Sequence, residues 1–267
     1  MRAATNPLSL FRSVDELLAL PYFDLLACLT DDSLHPGGGA ATQILLDACQ
    51  IRHSERVLEI GCGPGWTTRA LRRVGLNVTV VERSRLMVDA MLYHCRRENV
   101  PAPAVYIGPI EEFRPSAQSG THFDVILLEC VVGFVDNMRD MERAIRACLS
   151  SDGRVGVLDV HYKSIPPRSQ LDALSALLGH RLSPMTRNDW LTCFSKLECR
   201  SFESFHLNPS TKSGMSELLR RPEVAAWLSS VSSQDVNRLA LHLEKLRGSF
   251  EENKRHMEGH IAIFSKQ

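Results

Sequence analysis

Short apolar runs alternate with amphipathic stretches along the first 160 residues of the chain. Runs without intervening polar positions are typical of strands that a parallel sheet buries on both faces. Stretches with apolar residues three or four positions apart are typical of helices, and Ser84 caps one that runs to about Glu98. A second helix is predicted at residues 136–149. The alternation predicts a doubly wound α/β sheet with right-handed crossovers. The predicted strands are residues 57–60, 77–82, 104–108, 123–129 and 154–160.

The last hundred residues follow a less regular pattern. Helices are predicted at residues 169–178 and from Asn188, and strands at 199–207 and 259–264 would complete a seven-stranded sheet. Helical patterns at 215–219 and 233–246 fall in an insertion between those strands. The predicted organisation is an N-terminal helical lid (1–42), a Rossmann-like core (43–208), a helical insertion that caps the core (209–257) and the final core strand (258–267).

Glycine is concentrated directly after the first predicted strand. Glu59 is followed by Gly61, Gly63 and Gly65 at alternate positions, and a helical segment opens at Trp66. Glycine between a strand and a helix N-terminus lets a ligand approach main-chain N–H groups without obstruction from Cβ. The loop therefore predicts a nucleotide-type site at the carboxyl end of the first strand.

Two further positions narrow the class of nucleotide. The dinucleotide fingerprint needs a glycine one position beyond Gly65, where Trp66 would obstruct the pyrophosphate turn. Glu82 ends the second predicted strand, 17 residues beyond Gly65. A carboxylate there would come up beside the glycine loop and accept hydrogen bonds from both ribose hydroxyls. The pattern thus indicates a ribose-containing ligand other than a dinucleotide.

The arrangement resembles the class I S-adenosylmethionine (SAM)-dependent methyltransferases, whose first motif runs acidic-x-G-x-G-x-G. Glu59, Gly61, Gly63, Gly65 and Glu82 match that pattern position by position. The resemblance implies a Rossmann-like sheet whose last two strands pair antiparallel, with SAM as cofactor and S-adenosylhomocysteine (SAH) as product. It also implies that the late insertion either carries substrate specificity or is a helical hairpin that completes the core.

Two other motifs resemble a narrower group. His35, Pro36 and Gly37 to Gly39 precede an amphipathic helix, and Glu129-Cys130-Val131 follows the fourth strand. Both are similar to motifs of small-molecule methyltransferases whose SAM core is like that of the ubiquinone/menaquinone-biosynthesis type. This resemblance covers residues 20–160. The glycines either present N–H groups to a carboxylate of SAM or of the substrate, or form the hinge of an N-terminal lid.

One family feature is missing from this sequence. Family members commonly place an aspartate just after the third strand, where it meets the adenine amine, but Pro109 occupies that position. Backbone atoms near Ile110, or the side chain of Glu111, would then take over the adenine contact. The resemblance assigns the cofactor to Glu59, Gly61, Cys62, Gly63, Gly65, Glu82, Arg83, Ile110, Glu111, Glu129 and Cys130.

Candidate catalytic residues lie near the predicted strand ends, because a general base assists methyl transfer to a hydroxyl or an ammonium group. His161 follows the fifth predicted strand, where a base would face the methyl group; the alternative is a loop histidine with local hydrogen bonds. Glu129 would orient the substrate or the SAM amino group, and His35 would reach the site from the lid. The catalytic candidates are His161, Glu129 and His35, and the substrate-contact candidates are Tyr22, His35, Gly38 and Tyr162.

Composition limits the kinds of partner that the protein is expected to bind and the cellular compartment in which it is expected to lie. Lys plus Arg and Asp plus Glu both number 31, and this zero net charge argues against a nucleic-acid substrate. Eight cysteines without a C-x-x-C pair or metal-ligand spacing predict no metal site and a reducing cytoplasm. No apolar run approaches the roughly 20 residues needed to span a bilayer, so no membrane partner is expected. The expected partner is a small-molecule acceptor, and both a monomer and a homodimer stay open.

Three functions are compatible with these observations. The leading one is an enzyme that methylates O, N or S of a small molecule, as in secondary metabolism. A second is a metalloid (arsenite-type) methyltransferase, which would use thiolates such as those of Cys62 and Cys130. The third is a SAM-binding or partner-binding module that keeps the glycine loop without catalysis. Turnover of SAM to SAH across a panel of acceptors discriminates among them.

Overall fold

The protein is described here by a computed structural model that covers residues 5–115, 122–207 and 214–266. Strands and helices alternate up to residue 162, as the apolar pattern predicts. The helices are α1 (Val14–Leu18), α2 (Tyr22–Leu29), α3 (Gly38–Cys49), α4 (Trp66–Arg73), α5 (Arg85–Arg97), α6 (Met138–Cys148), α7 (Arg168–Leu178), α8 (Arg187–Cys193), α9 (Gly214–Arg220), α10 (Pro222–Leu228) and α11 (Ser233–Lys254). The strands are β1 (Arg56–Ile60), β2 (Asn77–Glu82), β3 (Ala104–Ile107), β4 (Phe123–Glu129), β5 (Leu149–Tyr162), β6 (Leu197–Phe205) and β7 (Met257–Lys266).

The strands form one sheet in the order β3-β2-β1-β4-β5-β7-β6. The first five pair in parallel, and β7 pairs antiparallel with both β5 and β6. The central strands are apolar because helices cover both faces: β4 buries Val125 to Leu128 completely. The predicted seven-stranded, doubly wound fold is confirmed. The sheet order reverses between β1 and β4, and ligands in such folds bind beyond the carboxyl ends of the strands at that point.

Two predicted boundaries near the site are wrong. The fifth strand does not end at Val160, because its pairing with β7 continues to Tyr162, which opposes Met257. His161 is therefore part of the strand and does not follow it. The sixth helix begins at Met138 and not at Asp136, because the Asn137 side chain caps it by accepting hydrogen bonds from two N–H groups of the first turn.

Helices from both ends of the chain form a single apolar cluster over the carboxyl edge of the sheet. Val14, Leu17 and Leu25 from α1 and α2 are buried together with Leu239 and Leu243 from α11. We call α1, α2 and α9 to α11 the helical lobe. The pattern did not predict α10, and it ended the last helix at residue 246, whereas α11 continues to Lys254. The domain limits remain a prediction, and α3 spans the limit placed after residue 42. Within the described part of the chain, no helix is long and apolar enough to cross a membrane.

Candidate functional site

A cavity of about 680 Å³ opens between the carboxyl edge of the sheet and the helical lobe. One half lies over the ends of β1, β2 and β3 and is lined by the glycine loop. The other half lies over the ends of β4 and β5, and its walls come from α2, α7 and α11. This is the position that a doubly wound sheet offers to a ligand, and the volume suits a small molecule.

The three glycines of the loop all have positive φ, but they have different neighbours. Gly63 lines the cavity, and a Cβ built there would meet only the Leu34 side chain, at 3.9 Å. A Cβ on Gly65 would lie 2.2 Å from Cγ of Met91, so this glycine lets α4 pack closely against α5. Gly65 does not line the cavity, which corrects its prediction as a direct cofactor contact. Gly61 also lines the cavity, but a Cβ there would lie 2.4 Å from Cγ2 of Val131, so this glycine gives space to Val131. Gly63 is the glycine of the loop that leaves its backbone open to a ligand.

The carboxylate of Glu82 lies beside the loop in an orientation that suits a ribose. Its Oε2 accepts a hydrogen bond from the Gly63 N–H at 3.3 Å, and its Oε1 accepts one from the Ser84 N–H at 2.8 Å. Each oxygen keeps a further acceptor position. Burial raises the pKa of Glu82, although these N–H groups favour the ionised form. In the third-strand loop, Ile110 and Glu111 line the cavity, and the buried Oε1 of Glu111 has no hydrogen-bond partner in the described residues. An adenine amine would satisfy this oxygen.

Glu59 reaches the cavity from inside β1, where it is 4% exposed. The Thr68 hydroxyl donates a hydrogen bond of 2.6 Å to its Oε2. Burial raises the pKa of Glu59 to about 8, and the nearby carboxylates of Glu129 and Glu82 add to the effect. A carboxyl group that holds its proton at neutral pH can donate as well as accept a hydrogen bond.

Glu129 is fixed by three side chains at the end of β4. The hydroxyls of Thr42 and Thr67 donate to its two oxygens at 2.6 and 2.7 Å. The His35 Nε2 lies 3.1 Å from Glu129 Oε2 and 2.9 Å from Thr42 Oγ1, and both partners of this ion pair are more than nine-tenths buried. Burial would raise the pKa of Glu129 and lower that of His35. The hydrogen bond and charge between the two outweigh burial, so the pKa of Glu129 falls and that of His35 rises.

The glycine-rich lead-in to α3 contributes to the cavity through different positions from those predicted. Gly37 and His35 line it, whereas Gly38 does not, which corrects the prediction of a substrate contact at Gly38. Gly38 is the first residue of α3, and its N–H donates to the His35 carbonyl, so it is used in the turn. A Cβ on Gly39 would lie 2.5 Å from the Trp66 ring, so this glycine gives space to the residue that replaces the dinucleotide glycine.

His161 lies outside the cavity lining, which corrects the prediction that it faces the methyl group. Its ring is 4% exposed and packs against Phe202 and His260, and its Nε2 lies 3.7 Å from Glu258. Burial lowers the pKa of His161. The reason is the added length of β5, because residue 161 pairs with β7 inside the sheet and does not enter a loop above it.

Asp159 is the acidic residue of β5 that lines the cavity. It is 5% exposed, and its Oδ1 accepts the Val160 N–H at 2.8 Å. Its Oδ2 makes no hydrogen bond of normal geometry with the described residues, although the Cys130 thiol and the Val132 N–H lie near enough to act on its pKa. Burial raises the pKa of Asp159 to about 7. A carboxyl group that titrates near neutral pH can exchange a proton with a ligand.

The half of the cavity under the lobe is largely aromatic and aliphatic. Tyr22 and Phe23 line it with ring centroids 5.0 Å apart, and Phe23 meets Phe134 edge-on at 4.7 Å. Tyr162 also lines it, and its hydroxyl accepts a 2.7 Å hydrogen bond from the Asn253 side chain. Tyr22 and Tyr162 therefore both line the cavity, and their contact with a substrate stays a prediction.

Two cysteines border the loop and strand β4. Cys62 and Cys130 line the cavity, as do Arg83 and Glu82 beside them. Burial raises the pKa of both thiols well above the ordinary value, and nearby carboxylates add to the effect. Because metalloid chemistry needs thiolates, this environment does not favour it.

Three polar residues of the site were missed by the sequence interpretation. Thr42 lies one helical turn beyond Gly38, so its position relative to the glycine lead-in was an available signal. Thr67 follows Trp66 at the start of α4. Asn253 offered no signal, because it lies beyond the predicted end of the last helix, and only the packing of α11 over β5 brings it to Tyr162.

Comparisons with known proteins agree with this geometry. A family profile described as a methyltransferase domain matches residues 39–265. An uncharacterized methyltransferase of Bacillus subtilis (strain 168), YodH, is 24% identical over 203 residues, covering 74% of this chain and 85% of that protein.

Solved structures share the fold at low sequence identity. Coclaurine N-methyltransferase, bound to N-methylheliamine and SAH, superposes with a TM-score of 0.66 at 16% identity, covering 94% of this chain and 80% of that one. The [4+2]-cyclase SpnF superposes with a TM-score of 0.67 at 15% identity, covering 98% and 96%. Since a cyclase also has this fold, the fold does not assign a reaction, and the family match carries more weight.

Proposed function

The chain belongs to the SAM-dependent methyltransferases, and from this premise we propose that it methylates a nucleophilic O, N or S atom of a small molecule held beneath the helical lobe. The observation that carries the proposal is one continuous cavity with two chemically different halves. The first half has the open Gly63 backbone and the Glu82 carboxylate, and the second has the aromatic wall with Asp159 and Tyr162.

The residues present fit the cofactor. Glu82 has acceptor positions for two ribose hydroxyls, and the unpartnered oxygen of Glu111 suits the adenine amine. Glu129 Oε1 accepts a hydrogen bond from the Thr67 hydroxyl and can accept a further one from the amino group of SAM. When bound, SAM supplies a methyl group on a sulfonium, which a nucleophile takes by in-line displacement.

The residues of the chain orient the cofactor and the acceptor, limit the access of water to the cavity and supply a proton acceptor. The network around Glu129 fixes one end of the cofactor site, so little reorganisation is needed on binding. The lobe encloses the acceptor half and excludes water from a reactive sulfonium. Asp159 replaces His161 as the candidate general base, because it lines the cavity and titrates near pH 7. The proposed acceptor is a small molecule, since a cavity of about 680 Å³ lies beneath the lobe and the chain has no net positive charge.

SAH binding and SAM turnover test the proposal. Calorimetry is expected to show SAH binding by the wild-type chain and its loss in Gly63→Val, with circular dichroism reporting an unchanged fold. Incubation with SAM and a panel of small alcohols, thiols and amines is expected to yield SAH only when an acceptor is present. SAH binding without acceptor-dependent turnover across the panel would instead support a non-catalytic SAM-binding module.

The free cysteine thiols indicate which cellular compartment suits the protein. All eight cysteines are free in the structure, and seven of them are buried or half-buried. We place the protein in a reducing compartment, the cytoplasm, where such thiols stay reduced.

A further inference from the structure

We propose that the acceptor is an apolar amine whose nitrogen is received by Asp159 against the aromatic wall of the cavity. This inference rests on the proposed function and narrows its acceptor class.

The first observation is the charge balance of the lining. Among the described residues, eight carboxyl side chains line the cavity, against three arginine or lysine side chains and His35. The cations under the lobe are occupied: Arg247 pairs with Glu244, and Lys254 pairs with Glu251. His35 pairs with Glu129. Arg83, the third of these cations, is exposed and donates a hydrogen bond to the Phe134 carbonyl. Even with Glu59 protonated, carboxylates outnumber the cations of the lining, so a carboxylate or phosphate acceptor would be repelled and an ammonium group attracted.

The second observation is the state of Asp159. It is buried, it lines the cavity, and its Oδ2 makes no hydrogen bond of normal geometry with the described residues. The Cys130 thiol and the Val132 N–H lie near enough to lower its pKa but do not complete such a bond. A buried acceptor without a donor is costly, and an N–H from a bound ligand removes that cost. Because burial raises its pKa to about 7, Asp159 can take a proton from an ammonium group and release it afterwards.

The third observation is the aromatic part of the lining of the same cavity. Tyr22, Phe23 and Phe134 form a chain of edge-on ring contacts, and Phe250 lies 5.6 Å from the Tyr22 ring. Aromatic faces attract cations, and their apolar area favours a ligand with a hydrocarbon body. The wall thus suits the two parts of an apolar amine.

The proton and electron balance of the step is simple. The ammonium group gives one proton to the Asp159 carboxylate, which frees the nitrogen lone pair. That pair forms the nitrogen–carbon bond to the methyl group while the carbon–sulfur bond breaks and its electrons stay on sulfur. The product is a methylated ammonium and SAH, and Asp159 loses its proton to solvent after release.

Matched ligands that differ only in their polar group test the inference. Calorimetry on the full chain saturated with SAH would compare 2-phenylethylamine with 2-phenylethanol and 3-phenylpropanoate. Tryptamine and decylamine, each with its alcohol and carboxylate counterparts, provide two further skeletons. We expect the amine to bind at least about ten-fold more tightly than its counterparts on the skeleton that fits, and to be methylated when SAM replaces SAH.

Variants connect the preference to Asp159. Asp159→Asn is expected to lower amine affinity about ten-fold while leaving SAH and alcohol affinity unchanged. Asp152→Asn makes the same change at an exposed position at the other end of β5. It is expected to leave the affinities for the amine, for SAH and for the alcohol unchanged. If Asp159→Asn does not fold, the wild-type comparison alone decides the question. Equal or tighter binding of an alcohol or carboxylate, or no amine binding to the SAH-loaded chain, would overturn the inference. Failure to bind SAH at all would instead overturn the proposed function.

Discussion

His35 and Glu129 form a buried ion pair, with 3.1 Å between Nε2 and Oε2. The two residues come from different parts of the fold, since His35 precedes α3 and Glu129 ends β4. Thr42 joins them with a hydroxyl that lies within 3 Å of both side chains. The pair therefore ties the glycine-rich lead-in to the central strand at the point where the two halves of the cavity meet.

Removing the charge of Glu129 is expected to weaken cofactor binding. Glu129→Gln keeps the shape of the side chain but lowers its strength as an acceptor, so SAH affinity should fall about ten-fold. Because the Glu129 charge supports the raised pKa of His35, that pKa should also fall, which NMR titration of the ring protons would measure. Glu55→Gln breaks a similar pair with Arg154 at the opposite end of the sheet and should change neither quantity. Unchanged SAH affinity in Glu129→Gln would remove Glu129 from the cofactor site.

Substitution of Gly63 and Gly65 is expected to separate binding from folding. Both have positive φ, so alanine imposes a similar backbone cost of about 1–2 kcal/mol at each position. At Gly63 the new methyl group enters open cavity space, so SAH affinity should fall at least ten-fold, on the order of 1.4 kcal/mol. At Gly65 the methyl group overlaps Met91, which should add about 1–3 kcal/mol of destabilisation. Denaturant unfolding and SAH calorimetry on both variants check this, and equal losses of stability would contradict it.

The contrast between Gly63 and Gly65 shows which features of the site the sequence predicts and which it does not. The motif predicted the loop, because alternate glycines after an apolar run need only local geometry. It could not tell which glycine faces a ligand and which faces Met91, since that depends on how α5 packs. The prediction that His161 follows the fifth strand was wrong for the same reason. Pairing with β7, about a hundred residues later in the chain, determines where β5 ends. The sheet follows from local patterns, but the acceptor half of the cavity is built by long-range packing.

Arg221 is expected to control closure of the helical lobe. Its guanidinium contacts Asp31 and Asp32 after α2, and Arg97 at the end of α5 also contacts Asp31. Although burial acts against it, these contacts lower the pKa of Asp31. Arg221→Ala should loosen the lobe and raise KM for the acceptor by about three- to ten-fold, because the acceptor site is then less populated in its closed form.

The control for Arg221 is Arg238→Ala, which removes exposed pairs with Asp15 and Asp235 on the outside of the lobe. Such exposed pairs contribute little, so KM should stay the same. Hydrogen exchange of α2 would report the loosening directly. Faster exchange without a change in KM would show that the lobe does not limit acceptor binding.

His260 is expected to make the protein sensitive to acid. Its ring is fully buried with neither nitrogen hydrogen-bonded in the described residues, and it stacks on Phe202 at a centroid distance of 4.5 Å. Burial lowers its pKa to about 3. The unfolded chain binds a proton below about pH 6.5 while the folded protein does not, so stability falls as pH decreases through that value. The loss is about 1.4 kcal/mol per pH unit, or about 2 kcal/mol at pH 5.

His260→Phe should flatten this dependence, because phenylalanine keeps the stack on Phe202 and cannot be protonated. Urea unfolding at pH 8 and pH 5 would measure the difference. The pKa of His94 is also lowered by burial, to about 4, but His94 contributes equally to both proteins. The pKa of His161, which packs against His260, is lowered as well, so the difference between the two proteins reports His260 together with its effect on His161. His53→Phe at an exposed position controls for the loss of a histidine as such. Wild type and His260→Phe could instead lose the same free energy of unfolding between pH 8 and pH 5. In that case His260 binds its proton equally well in the folded and the unfolded protein, and the prediction of a neutral buried ring is wrong.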